Sequence, residues 1–235
     1  MFDSNRRKFF QQSSLGLAAA GAGLILRADA QPTLALPYAE ENNRVLIQMV
    51  PPPKVEITPK GELKKVTPQP YGPFYKQGAP FRGKLSTPGE PGMTFILTGR
   101  VWAMDTKRPL PGVVLDFWHV DTKEKYSDGV NDFRNRGRLV SSETGAYELE
   151  SIRPIPYRPN PGDSSFWRCA HFHLLAVCPG YKPLVTEIHF QGDPHKDDPM
   201  YRIENAIAVE KRTVNGQSFE TGVFDIVLER DASAK

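Results

Sequence analysis

The amino-acid sequence predicts an all-β protein: an antiparallel β-sandwich with a long irregular N-terminal arm and few short helices. Short runs rich in β-branched and aromatic residues recur between turns, which is typical of strands. Beyond residue 30, no window of a dozen residues keeps the 3.6-residue period of a helix. The 22 prolines and 19 glycines indicate many turns, and a hydrophobic fraction of 39% is enough for a packed core.

The segment 1–30 has the features of an export signal. The pair Arg6-Arg7 resembles a twin-arginine motif, and the apolar run 15–26 that follows is too short for a stable membrane-spanning helix. Ala28-Asp29-Ala30 fits the signal-peptidase pattern, so the mature chain is expected to begin at Gln31. We therefore expect an exported, periplasmic protein with no stable membrane span after processing; the alternative is an uncleaved anchor.

Two further segments follow from the distribution of proline and of apolar runs. Residues 31–80 are rich in proline and are expected to form an extended arm that wraps the domain or a partner subunit. Residues 81–235 form the predicted β-domain. Strands are expected over 95–102, 113–120, 146–152, 171–178, 184–190, 206–213 and 223–228.

Each of these strands has a local justification. The first is the run Phe95 to Trp102, and the turn 109–112, which contains two prolines and a glycine, separates it from the second. The third follows Thr144-Gly145, the fourth lies in an apolar run that contains His171 and His173, and the fifth, 184–190, continues the series. The last two flank Asn215-Gly216, the dipeptide most typical of a tight hairpin turn.

Charge and cysteine usage exclude two features. The formal net charge is +3 and no block of Lys and Arg exceeds three residues, so a nucleic-acid-binding groove is not indicated. Cys169 and Cys178 lie on one extended run, where nine residues span roughly 30 Å. A disulfide needs Cα atoms within about 7 Å, so we expect no bond between them.

A metal site is predicted around His171 and His173. Side chains alternate along a strand, so the two imidazoles share one face and can bind one ion. Glu187 on the next strand would complete a two-histidine, one-carboxylate shell. Tyrosine is the alternative donor, because a phenolate is a hard anionic ligand that suits Fe(III). Tyr126 and Tyr157 stand out because they sit among turn residues, and the residues alone leave both shells open.

Several motifs follow one another in a characteristic order. They are Trp118-His119-Val120-Asp121 with Tyr126-Ser127, Phe133-Arg134-Asn135-Arg136-Gly137-Arg138, Ile152-Arg153-Pro154-Ile155-Pro156-Tyr157, Arg168-Cys169-Ala170-His171-Phe172-His173, and Pro179-Gly180-Tyr181. In this order they resemble the intradiol ring-cleavage dioxygenases, which are the catechol, hydroxyquinol and protocatechuate dioxygenases that use non-haem Fe(III). The resemblance extends from about residue 67 to residue 228.

The resemblance implies a ligand set and a reaction. Tyr126, Tyr157, His171 and His173 match the iron ligands, and the residue at the position of Tyr157 leaves the metal when substrate chelates. Arg168 matches the arginine that lies over the substrate ring. The substrates would be O₂ and a small aromatic diol, cleaved between its hydroxyl-bearing carbons with insertion of both oxygen atoms to give a muconate-type diacid.

Other expectations concern residues outside the implied ligand set, differences from the family pattern, and the oligomeric state. Tyr75 is expected to contact the substrate, and Arg134, Arg136 and Arg138 are expected to lie in a solvated loop. Glu187 stands where the family often has Gln, so it either alters the electrostatics around the metal or faces away. Without the N-terminal helical domain of catechol-type enzymes, the chain is closer to a protocatechuate-type subunit, and a homo-oligomer of catalytic subunits is expected. The alternative function is a periplasmic β-sandwich that binds a metal or a polyphenol without turnover.

Overall fold

The computed structural model describes residues 58, 59 and 61–233. The predicted export signal over 1–30 and most of the predicted arm lie outside these residues. Within the described part, no helix has the length and apolar character needed to cross a membrane.

The regular structure of the described residues consists of β-strands and a single 3-10 turn at Ile203–Asn205, joined by turns and irregular segments. The strands are β1 (Thr94–Ala103), β2 (Val114–Trp118), β3 (Arg136–Val140), β4 (Ala146–Ile152), β5 (His171–Val177), β6 (Leu184–Phe190), β7 (Ala206–Ile207), β8 (Glu210–Val214), β9 (Gln217–Val223) and β10 (Ile226–Leu228). The predicted all-β class is confirmed. Two strands, β3 and β9, were not predicted, and the expected strand over 206–213 is divided between β7 and β8.

Ten strands pair into two five-stranded sheets. One has the order β10-β1-β9-β8, with β4 on the other side of β1, and the second has the order β3-β2-β5-β6-β7. Neighbours along the chain pair antiparallel, as expected, in β2–β3, β5–β6 and β8–β9. However, β1 pairs in parallel with β9 and β10, and β6 with β7. The sandwich is therefore mixed rather than purely antiparallel.

The arginines of the motif 133–138 are placed differently from the expectation. Arg136 lies on β3 and is buried, and its Nε donates to Ser127 Oγ at 2.7 Å. Arg138, on the same strand, donates from its Nε to the Ala79 carbonyl. The predicted solvated loop is thus wrong for both residues, because each lies on β3 and donates hydrogen bonds to oxygens of the protein. Arg134 alone is solvent-exposed.

The hydrophobic core lies between the two sheets. Phe172 of β5 packs against Phe95 of β1 with ring centroids 5.8 Å apart, and Phe95 meets Phe190 of β6 edge-on at 5.4 Å. Because side chains alternate along β5, the inward position of Phe172 turns His171 and His173 to the opposite face. The predicted metal residues therefore lie on the outer face of the second sheet.

The segment 67–76 crosses this outer face. The backbone amide of Gln69 donates to the Val185 carbonyl of β6 at 2.8 Å, which fastens the segment to the sheet. Gly72 has a φ of 68°, and a Cβ at this position would lie 3.5 Å from the His173 ring. Glycine thus allows both the left-handed turn and the close approach of the backbone to the histidine.

Both cysteines are free, as predicted. Cys169 is buried just before β5, and Cys178 is half-buried just after it. The length of the extended strand separates the two thiols, so no disulfide forms between them.

Candidate metal centre

The four residues expected to bind iron meet on the outer face of the second sheet. The Nε2 atoms of His171 and His173 are 3.1 Å apart. The hydroxyl oxygen of Tyr126 lies 3.0 Å from Nε2 of His173 and 3.5 Å from Nε2 of His171. The ring of Tyr157 stands edge-on to Tyr126 at 5.6 Å and tilted to His171 at 5.9 Å. Residues up to 47 positions apart thus bring the Tyr126 oxygen and both histidine Nε2 atoms together, with the Tyr157 ring beside them.

Two loops position the tyrosines. The loop before Tyr126 is shaped by Asp121, whose Oδ1 accepts hydrogen bonds from two backbone amides of the following turn at 2.8 and 3.0 Å. Glu124 of this loop pairs with Arg158, accepting its Nε at 3.0 Å and its backbone amide at 3.1 Å. Since Arg158 directly follows Tyr157, this ion pair joins the loop of one tyrosine to the loop of the other.

The histidines are held in the form that binds metal ions. Burial lowers the pKa of His171 to about 4 and holds the pKa of His173 well below its usual range, so both imidazoles are neutral at physiological pH. Nδ1 of His171 donates to the Cys169 carbonyl at 2.7 Å, which leaves the lone pair on Nε2. That lone pair points towards the Tyr126 hydroxyl and His173.

A buried nitrogen without a partner also fits a metal ion. Nδ1 of His173 has no hydrogen-bond partner and faces Oε1 of Glu187 at 3.6 Å. If Nε2 of His173 gave its lone pair to a cation, the ring proton would sit on Nδ1, where it would face this carboxylate. The donor set of two imidazoles and two phenols therefore fits a hard cation.

In the absence of a cation, the phenols keep their protons. Burial, reinforced by the neighbouring Tyr157, raises the pKa of Tyr126 well above its usual range. Burial also raises the pKa of Tyr157, although the positive charge of Arg168 opposes the shift. A metal ion would have to displace both protons, as strongly charged cations do.

Glu187 faces the site, so the possibility that it faces away is excluded. It lies on β6 opposite His173 of β5, is 1% exposed, and its Oε1 is 3.7 Å from Nε2 of His171. One possible ligand atom from each of His171, His173 and Glu187 lies within 4.8 Å of the other two. However, Nη2 of Arg168 donates to both oxygens of Glu187 at 2.7 Å. The tyrosine oxygens carry no such ion pair, which favours the shell of two tyrosines and two histidines.

Arg168 lies beside this cluster and is tied to it. Its Nε donates to Asp198 at 2.8 Å, while its Nη2 is held by Glu187. Backbone hydrogen bonds of 2.8 and 3.2 Å join Arg168 to Tyr157. The guanidinium is therefore anchored by two buried carboxylates next to a predicted ligand; its placement over a substrate ring stays a prediction.

A cavity of about 620 Å³ opens over the tyrosines. Its walls include Pro73 and Phe74, which belong to the segment 67–76 that covers this face of the sheet, together with Tyr126, Tyr157 and Arg136. The ring of Phe74 stacks on Tyr126 at 4.4 Å with an interplanar angle of 13°. A cavity with aromatic walls beside the donor atoms, and with charged side chains in the rest of its lining, can hold a small aromatic ring that carries polar groups.

Tyr75 also lines the cavity, but its hydroxyl is engaged by Asp116 at 3.3 Å. Burial raises the pKa of Tyr75 to about 12 and that of Asp116 to about 6. The ring of Tyr75 is tilted against Trp118 with ring centroids 4.9 Å apart, and Trp118 stacks on His173 with centroids 4.7 Å apart. The structure thus links Tyr75 to the metal residues through Trp118, and direct contact with a substrate stays a prediction.

Three residues of the site were not identified from the sequence. Trp118 shares the outer face with His173, and strand alternation applied to β2 could have found it. Gln69, which donates to Glu187 at 3.4 Å, and Asp198 come from irregular segments with no motif. Nothing in their sequence neighbourhood pointed to this site.

Comparisons with known proteins agree with this geometry. A family model described as Dioxygenase matches residues 71–230. The chain is 34% identical over 184 residues to a chlorocatechol 1,2-dioxygenase of Rhodococcus opacus, covering 68% of this chain and 71% of that enzyme. It is 31% identical over 154 residues to a 6-chlorohydroxyquinol 1,2-dioxygenase of Cupriavidus pinatubonensis (strain JMP 134 / LMG 1197), covering 58% of this chain and 55% of that one. The chain thus spans only about half the length of the latter relative.

Solved structures give the same result. The dioxygenase domain of a dioxygenase–carbohydrate-binding protein fusion from Streptomyces sp. SirexAA-E matches with a TM-score of 0.59 and 29% identity, covering 72% of this chain and 100% of that one. Hydroxyquinol 1,2-dioxygenase from Pseudomonas putida DLL-E4 matches with a TM-score of 0.64 and 25% identity, covering 73% of this chain and 69% of that one. The fold, the site and these relatives together establish that the chain belongs to the intradiol ring-cleavage dioxygenase family.

Proposed function

We propose that this enzyme cleaves a catechol-type ring between its two hydroxyl-bearing carbons and inserts both atoms of O₂, giving a muconate-type diacid. Membership of the family supports the reaction class. One observation carries the assignment to particular residues. The Tyr126 oxygen lies 3.0 and 3.5 Å from the two histidine Nε2 atoms, and the Tyr126 side chain lines a cavity of about 620 Å³.

Fe(III) is the proposed cofactor, held by Tyr126, Tyr157, His171 and His173. Two phenolates are hard anionic donors and offset two of its three positive charges, which suits a largely buried site. When bound, Fe(III) would withdraw electron density from the catecholate and make a ring carbon reactive towards O₂. The imidazoles, neutral through burial, complete the donor set without adding charge.

The protein's own residues have distinct tasks in this proposal. Phe74, stacked on Tyr126, forms a wall against which the substrate ring packs. As a phenolate, a form that the neighbouring guanidinium favours, Tyr157 would accept one of the two protons of the diol. Arg168, which is permanently charged, stabilises negative charge that develops on the ring carbon. The covering segment 67–76 limits the access of water to this part of the sheet.

The alternative of a metal- or polyphenol-binding protein without turnover is not favoured. The relatives named above are all dioxygenases, and the chain retains a complete set of candidate ligands with an open cavity beside them.

Oxygen uptake with labelled O₂ tests the proposal. Iron-loaded protein would be given catechol, protocatechuate, hydroxyquinol, and chlorinated and alkylated catechols, and products would be read by mass and absorbance. We expect a ring-opened diacid carrying both labelled atoms from at least one diol, and none from the matched His173→Ala variant. Cleavage outside the diol pair, or incorporation of a single labelled atom, would contradict the intradiol reaction.

We also propose export through the twin-arginine route and self-association into a homo-oligomer. The Arg6-Arg7 pair with its apolar run and Ala28-Asp29-Ala30 supports the first. Fractionation of cells that express the full chain should recover it in the periplasm, and a variant with both arginines replaced by lysine should stay in the cytoplasm. Light scattering of the purified protein measures the second; a monomeric mass would contradict it.

A further inference from the structure

We propose that Glu187 is a positioning residue that places a fixed negative charge beside the metal centre and thereby stabilises the ferric over the ferrous state. This inference rests on the proposed function, since it concerns iron held by the neighbouring tyrosines and histidines. It goes further in giving a task to a side chain that is not itself one of the four proposed ligands.

The first argument is position. Glu187 lies on β6 directly opposite His173 in the β5–β6 register and is 1% exposed. Its Oε1 is 3.6 Å from Nδ1 of His173 and 3.7 Å from Nε2 of His171. A carboxylate so close to both imidazoles acts on an ion held by them through a medium of low polarity, where charge effects are large.

The second argument is that every hydrogen-bonding neighbour of this carboxylate is a donor. Nη2 of Arg168 donates to both oxygens at 2.7 Å. Nε2 of His189 lies 3.2 Å from Oε2 and donates to it, because an ionised carboxylate can only accept. The side chain of Gln69 adds a weaker donor at 3.4 Å. These contacts are complementary to a carboxylate that carries its negative charge.

The third argument is charge balance. Arg168 is shared, because its Nε pairs with Asp198 at 2.8 Å while its Nη2 pairs with Glu187. The three groups therefore sum to one negative charge. Proximity to the histidines identifies Glu187 as the carboxylate whose charge acts on the metal. An amide of the same shape at this position would remove that charge and keep the packing.

The test compares iron-loaded wild type with Glu187→Gln and with Asp198→Asn. The second variant removes the other carboxylate from the same guanidinium and is the matched control. Iron content, the reduction potential of the iron in a mediated titration, and the wavelength of the tyrosinate-to-iron absorption band are measured for each. These readouts do not depend on turnover.

We expect Glu187→Gln to bind iron and to raise its reduction potential. The ferric-to-ferrous ratio at a fixed potential should fall at least tenfold, which corresponds to about 59 mV for one electron. The absorption band should move to longer wavelength, because a less compensated ferric ion accepts charge from the phenolates more easily. Asp198→Asn should give a clearly smaller shift, and Glu187→Asp, which keeps the charge, should stay near the wild-type potential.

Three results would overturn the inference. An unchanged reduction potential in Glu187→Gln would show that the charge of Glu187 does not act on the iron. Equal shifts of the potential in Glu187→Gln and Asp198→Asn would show that the effect comes from the anchoring of Arg168. Loss of iron in Glu187→Gln but not in Glu187→Asp would make Glu187 a ligand instead. Failure of the proposed function is distinct, because it would be seen in the wild type as iron-loaded protein without a tyrosinate band or ring cleavage.

Discussion

Replacing Arg168 by methionine tests how the buried charges of the site are held. Arg168 is paired through Nη2 with Glu187 at 2.7 Å and through Nε with Asp198 at 2.8 Å. The side chains of these carboxylates are only 2% and 0% exposed. Methionine fills much of the same space but leaves both negative charges without their cation.

The expected cost is large for a single substitution. Removing one partner of a buried ion pair costs about 3–5 kcal/mol. Two pairs are broken, but the Cys169 and Met200 amides still donate to Asp198, and His189 still donates to Glu187. We therefore expect a loss of about 3–5 kcal/mol rather than twice that amount. For a chain of this size, the thermal midpoint should fall by roughly 6–20 °C.

The loss should depend on pH. Burial opposes ionisation of Glu187, yet His171, the His189 hydrogen bond and Arg168 hold its pKa below the usual range, and the pKa of Asp198 is lowered as well. Lowered folded-state pKa values stabilise the wild type above the unfolded values near pH 4, and this contribution is lost as the pH falls. In the variant, unpaired buried carboxyls have raised pKa values, so protonation restores stability. The difference between the two proteins should therefore begin to narrow above pH 4, as the variant's carboxyls take up protons, and should narrow further on acidification.

Denaturant unfolding of the metal-free proteins, followed by circular dichroism at neutral and acidic pH, measures this difference. The control is Arg134→Met, since Arg134 forms an exposed pair with Asp132 at 2.8 Å and should lose at most about 1 kcal/mol. The reasoning is refuted if Arg168→Met unfolds within about 1 kcal/mol of wild type at neutral pH, or if the gap stays constant on acidification.

Three other predictions concern the ligands, the core and the thiols. Tyr126→Phe should weaken iron binding by more than roughly 100-fold in a chelator competition, because even residues that only hydrogen-bond to metal ligands contribute about 10–100-fold. Tyr75→Phe is the control and should retain iron; equal retention by both variants would contradict the ligand assignment. Phe95→Ala should lower the free energy of unfolding by about 3–5 kcal/mol in denaturant titration, because its ring is fully buried between the sheets; a loss below 1 kcal/mol would count against the core described above. In the native protein, a thiol reagent should modify the half-buried Cys178 before the buried Cys169. After denaturation it should modify both without a reductant, and a single reactive thiol there would contradict two free cysteines.

The predictable parts of the fold and site were those specified locally. Alternation along β5 was sufficient to place His171 and His173 on one face, and runs of apolar residues located most strands. β3 was not predicted because it begins Arg136-Gly137-Arg138, with two charged residues around a glycine that strands disfavour. The hydrogen bonds that hold the two arginines come from Ser127, nine positions away, and Ala79, 59 positions away. The parallel pairing of the last strands with β1 is likewise a long-range event.

The surroundings of the metal residues depended on tertiary structure. Whether Glu187 faces the histidines is decided by the β5–β6 register, which no local pattern reveals. Asp198 reaches Arg168 across 30 residues of chain. The four ligand candidates themselves were found through the resemblance of the motifs, because their residue types alone allowed either a glutamate or a tyrosine shell.

The visible absorption of the protein loaded with one equivalent of Fe(III) tests most directly whether both tyrosines and both histidines hold the metal. Tyrosinate bound to Fe(III) should colour the wild type red-brown, anaerobic addition of catechol should shift the band, and admission of oxygen should bleach it. A protein that holds its full complement of Fe(III) yet remains colourless would contradict the account.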